Sequence, residues 1–161
     1  KLAKKFVKKA WNEQPHAEYK ESILSLVAHL EIEMLELVKY ITDASYKSEE
    51  SIKLMVEAFI ESKKWDNARN HIKDLLDVRP TKEVCLLMAK IEEGDSGDVQ
   101  KINAWIQRAK NGAVNNIWIC TISKKSQRTW SSISEGGYFN SLEWRQPIML
   151  ESLEIYEGLT K

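Results

Sequence analysis

Residues 52–80 read IKLMVEAFIESKKWDNARNHIKDLLDVRP, and their spacing decides the fold. Ile52, Met55, Val56, Phe59 and Ile60 recur three and four places apart, which sets them on one face of a helix. A second series follows Lys63-Lys64: Trp65, Ala68 and Ile72, closed by Pro80. The first helix carries large apolar residues and the second a small one among them. Bulky side chains can therefore fill the gaps that small ones leave, and proline ends the pair by disfavouring helix in the residue before it.

The same register returns elsewhere. Thirty-four residues beyond Ala68, Ile72 and Leu75 stand Ile102, Ile106 and Ala109, with Gly112 near the place of the proline. Sixty-five residues back, Ala3, Val7, Ala10 and Pro15 match all four positions. This is the spacing of a tetratricopeptide repeat. It predicts helix pairs 48–63 with 65–78 and 81–93 with 98–110, antiparallel because the links are short. Apolar periodicity alone also fits a plain helical bundle. Caps agree with the boundaries: Ser48 precedes Glu49 and Glu50, and Pro80-Thr81 opens a run with Glu83 in its first turn.

Working outward, the unit between Pro15 and the polar stretch Thr42–Ser48 is degenerate. His16–Leu30 reads as its first helix and Glu33–Ile41 as a short second one, with Lys39 where an apolar residue would help packing. The chain opens on the second helix of a repeat, so it is expected to be a fragment of a longer solenoid. After Gly112 the character changes. Residues 116–122, 129–133 and 138–144 are rich in β-branched and aromatic residues and read as strands, with Glu135-Gly136-Gly137 as a turn. Trp118, Cys120 and Ile122 are expected on one face. Trp118, Trp130, Phe139 and Trp144 are expected to bury as a lid on the last helical pair, because three short strands do not stand alone. The domains so read are 1–112 helical repeats, 113–147 a small β-rich cap, and 148–161 a tail or short helix.

Charge excludes several functions. The 24 Lys and Arg balance 24 Asp and Glu in the 161 residues, and the balance holds in each third of the chain. Such a chain has no general electrostatic reason to bind nucleic acid or anionic membrane. No 18-residue apolar run is present to span a bilayer. Cys85 and Cys120 are too far apart for a metal knuckle.

Several motifs of the later part resemble the C-terminal half of HemY-type tetratricopeptide proteins of alphaproteobacteria. They are Asp66-Asn67-Ala68-Arg69, Glu92-Glu93-Gly94-Asp95-Ser96-Gly97, Trp130-Ser131-Ser132-Ile133-Ser134 and, above all, Leu142-Glu143-Trp144-Arg145-Gln146-Pro147. The resemblance covers residues 1–147. It implies an α-solenoid and an N-terminal membrane anchor lying outside this chain. It also implies a place at the bacterial inner membrane with this portion on the cytoplasmic side, and partners among haem-biosynthesis enzymes.

The residues themselves mark no chemistry. His16, His29 and His71 lack ligand spacing and read as surface or helix-end residues; a haem-ligand role for His29 or His71 lacks a CxxCH. Cys85 lies on an apolar helix face and reads as an inert thiol. The Asp95–Asp98 turn lacks the ligand set of a calcium loop. Lys1, Lys4, Lys5, Lys8 and Lys9 read as a solvated helix face, and Ser131, Ser132 and Ser134 have no nucleophile-elbow context. The resulting expectation is a mostly α protein, a non-enzymatic interaction scaffold with no cofactor and no metal. It presents Glu50, Lys53, Glu57 and Glu61 on a concave face built from first helices, pointing away from the partner helix, to a protein or peptide. The rival expectation is a tetrapyrrole carrier using Trp118 or Tyr138 of the cap with a histidine ligand.

Overall fold

The computed structural model describes residues 2–76 and 80–147. Over these run seven helices: α1 Leu2–Glu13, α2 Tyr19–Leu30, α3 Met34–Thr42, α4 Glu49–Glu61, α5 Trp65–Ile72, α6 Lys82–Asp95 and α7 Val99–Lys110. Three short strands follow Gly112: β1 Ile117–Cys120, β2 Ser126–Gln127 and β3 Leu142–Arg145. The protein is mostly helical with one small antiparallel sheet, and its residues divide into two compact units between Gly112 and Ala113. The possible last helix within 148–161 and the end of the 65–78 helix lie outside the described residues.

Local chemistry sets the helix ends. The Ser48 hydroxyl accepts from the Ser51 N–H, the Thr81 hydroxyl from Val84, and the Asp98 carboxylate from Gln100 and Lys101. Each satisfies donors that the first turn leaves open. At the other end of α4, Lys63 takes a left-handed conformation (φ 55°) and the Lys64 N–H returns to the Phe59 carbonyl at 2.8 Å. This turn makes the break that Lys63-Lys64 predicted, without a glycine. α5 is shorter than its periodicity predicts, because Lys73–Leu75 tightens into a 3-10 turn.

In the helical unit α1 lies against α2 and α3, α4 against α3, α5 and α6, and α6 against α5 and α7. Val56, Phe59, Ala68 and Ile72 are buried in one apolar core, with Trp65 half-buried at its edge. Gly94 of α6 leaves the room this indole needs, since a Cβ there would overlap the Trp65 ring. The core is also pinned by a polar contact. Trp11 of α1, 2% exposed, donates its indole N–H to the Ser51 hydroxyl of α4 at 2.8 Å.

In the smaller unit β1 is the centre of the order β2-β1-β3. Trp118 pairs with Gln127 on one side and Trp144 on the other, and the two indoles meet edge-on at 5.2 Å. Two strand expectations are corrected. Residues 129–133 form no strand; β2 comes earlier, at Ser126–Gln127, because Lys124 turns left-handed (φ 60°) and folds the chain back directly after Cys120. Ile133 makes only an isolated bridge to Phe139. The expected alternation of Trp118, Cys120 and Ile122 also fails. Trp118, Ile119 and Cys120 are all buried, whereas Ile122 falls beyond the strand and is exposed. Of the four lid aromatics, Trp118 is buried and Trp144 half-buried, but Trp130 is 47% and Phe139 74% exposed. Both lie outside the three-stranded ladder.

Candidate functional site

Two features of the helical unit bring charged side chains together. The first is built on α4, where Glu50, Lys53, Glu57 and Glu61 follow one another along a helix face. The structure uses three of the four internally. Lys53, 4% exposed, places Nζ 2.8 Å from Glu50, 2.8 Å from Glu83 of α6 and 3.4 Å from Glu49. Burial pushes its ammonium down, but the Glu50 and Glu83 carboxylates outweigh that and hold it above its ordinary value. Glu50 is 6% exposed. Glu57 accepts from Lys20 of α2 at 2.6 Å.

The expectation that these residues greet a partner is therefore corrected for Glu50 and Lys53, which lie inside the unit. Helix periodicity shows which side of α4 faces away from α5, but not that α6 packs beside it and covers that side. Glu61 alone of the four is exposed.

Similar pairs occur along the unit. Lys8 of α1 bonds Asp43 after α3 at 3.1 Å. Arg69 of α5 reaches Asp95 at 2.6 Å and Glu92 at 3.3 Å, both on α6. Ion pairs thus tie α2 to α4, α4 to α6 and α5 to α6.

The second feature was not marked as a site by the sequence. A groove of about 890 Å³ is lined by Lys39, Thr42 and Asp43 from the end of α3, Tyr46 and Lys47 from the link, Ile52 and Met55 from α4, and Asn70, His71, Asp74 and Leu75 from α5 and its 3-10 turn. Its floor is apolar and its rims are polar, the usual make-up of a binding cleft. The one sequence signal for it was Lys39, a lysine at a position the repeat would fill with an apolar residue.

The other candidates fall as follows. His29 and His71 are exposed, and His71 packs its ring 4.8 Å from Phe59. His16, expected at the surface or a helix end, sits at the α1–α2 corner but is buried there, its ring tilted against Tyr19 at 4.0 Å. Burial pushes its imidazole below the ordinary value, which Glu18 and Glu50 only partly restore.

Cys85 is fully buried; burial pushes its thiol up and Arg108 pulls it back in part. Cys120 differs. Burial pushes it up, but the Ser123 and Ser141 hydroxyls and the Ser123 and Ile122 N–H groups outweigh this and bring it down to about 6. Its Sγ lies 3.3 Å from the Ser141 oxygen, which also lies 3.1 Å from the Tyr138 carbonyl. The thiol can donate to Ser141 while Ser141 donates to Tyr138, but the thiolate must compete with the Tyr138 carbonyl for the one Ser141 hydroxyl proton. Among the described residues no group of His, Cys, Asp and Glu is placed to hold a metal ion.

No protein-family model matches the chain, and no solved structure matches it. A stretch of 97 residues, 59% of the chain, is 27% identical to the probable magnetosome protein Mms48 of Magnetospirillum gryphiswaldense. The match spans 22% of that protein's length.

Proposed function

We propose that the chain is a non-catalytic scaffold for protein–protein interaction, its first 112 residues a tetratricopeptide-like α-solenoid. One observation carries this reading. Helices lie against the next in sequence and, at α1–α3 and α4–α6, against the next but one, which is how repeats stack. The ion pair Lys53–Glu83 braces α4 to α6, and Lys20–Glu57 links a further alternate pair, α2 and α4. The resemblance to HemY-type proteins implies partners from haem biosynthesis at the bacterial inner membrane, with this portion on the cytoplasmic face. The similarity to a probable magnetosome protein adds a second setting, association with magnetosomes. No helix among the described residues is long and apolar enough to cross a membrane.

The test uses the purified chain as bait, then titrates each captured candidate, itself purified, by gel filtration with light scattering. A stoichiometric complex is expected. No complex with any purified candidate would overturn the reading.

One observation favours a second reading, the tetrapyrrole carrier. His71 lines the groove beside Met55 and Ile52, so an axial ligand and an apolar wall coincide there. Of the two cap residues expected for this role, Trp118 is buried and Tyr138 is exposed. Haem titration decides: a Soret shift that disappears in His71→Ala supports the carrier, and its absence dismisses it.

A further inference from the structure

We propose that the groove between α3 and α5 docks an amphipathic helix whose aliphatic stripe is edged by carboxylates. This rests on the scaffold reading and names the chemistry of its partner. The floor supplies the anchor surface: Ile52 and Met55 of α4 with Leu75. A flexible methionine beside aliphatic chains adapts to the side chains of a visiting helix, which enter at three- and four-residue spacing.

Charge decides which helix fits. On the α3 side the rim holds Lys39, Asp43 and Lys47. Asp43 is already bonded to Lys8 at 3.1 Å, whereas Lys39 and Lys47 are exposed and make no ion pair among the described residues. Lys47 leans only over the Tyr46 ring, at 5.6 Å. That rim therefore offers two cations to a partner. The opposite rim, Asn70, His71 and Asp74, carries one carboxylate and marks the side on which the visitor should not be acidic. Among the described residues no arginine lines the groove, and two separate lysines suit carboxylates along a helix edge. Lys39 strengthens the case. The repeat pattern wants an apolar residue there, and a charge kept at the rim of an apolar cleft has a use outside the fold.

The experiment selects binders to the intact chain from a displayed library of helical peptides, about four turns long, with fixed aliphatic positions and randomised edges. Enriched peptides should carry Glu or Asp along one edge of the stripe. Their affinity should fall about tenfold with Lys39→Glu plus Lys47→Glu, with a reduced dependence on salt. Both residues are exposed, so circular dichroism should show the variant folded. A zero-length carbodiimide cross-link should map to Lys39 or Lys47. Enrichment of basic edges, or no enrichment at all, would overturn the inference. Binding indifferent to the double variant would overturn it too, while leaving the scaffold reading intact. Haem displacing the peptides would give the groove to the carrier reading. Failure of every purified partner to form a complex is the separate result that removes the scaffold.

Discussion

Lys53 Nζ and a Glu83 carboxylate oxygen lie 2.8 Å apart, an ion pair that joins α4 to α6 across thirty residues of sequence. Its lysine is buried while its glutamate keeps about a third of its side chain in solvent. The pair therefore works as a brace with one dry end. The dry end also holds Glu50, so the cation serves two helices at once.

Removing Lys53 should be costly. Lys53→Ala leaves Glu50 buried without its cation, and breaking a buried pair in this way costs about 3–5 kcal/mol. Lys53→Met with Glu50→Leu removes both charges and should cost much less. Urea denaturation of the two variants checks this; equal losses would show that the charge pairing does not matter.

Gly94→Ala tests the seat of Trp65. Alanine in a helix gains about 1 kcal/mol over glycine, but a Cβ here overlaps the indole, and overpacking costs about 1–3 kcal/mol. The clash should win or nearly cancel. The indole must move in either case, so tryptophan emission should shift. Ala68→Glu, at a fully buried position, should be far worse and unfold the α4–α5 pair.

The His16 imidazole, pushed down by burial, makes stability depend on pH. The unfolded chain takes up the proton first, at about 6.5. Stability is therefore full above that value and falls as pH drops through it toward the lower folded value. His16→Gln should flatten the melting temperature between about pH 7 and 5.5, above the range where the carboxylates titrate. An unchanged slope would place His16 in water.

Thiolate absorbance should separate the two cysteines. Cys120 should titrate near 6 and Cys85 above its ordinary value, held up by burial. Ser141→Ala removes one hydrogen bond and should move the Cys120 midpoint up. If it does not move, the Ser141 proton goes to the Tyr138 carbonyl, and the sulfur owes nothing to that hydroxyl.

The sequence by itself determined the helices and where several of them begin. Ser48, Thr81 and Asp98 act on donors within three residues, and the spacing of Val56, Phe59, Ala68 and Ile72 sets a buried face whatever lies opposite. It also determined that strands follow Gly112, because β-branched and aromatic residues crowd there. Only the tertiary structure decided what those surfaces meet. Glu50 and Lys53 read as a polar outward face until α6 lies beside them, and burial then turns a binding surface into an internal brace. Lys39 read as a packing defect until α3, α4 and α5 enclosed a cleft at its side. The hairpin after Cys120 depended on a left-handed Lys124, and with it went the alternation of the strand and the burial of Trp130 and Phe139. Periodicity fixes a side chain's direction from its own helix or strand, which is local. Whether that direction leads to water or to another element depends on contacts dozens of residues away, and no local pattern carries those.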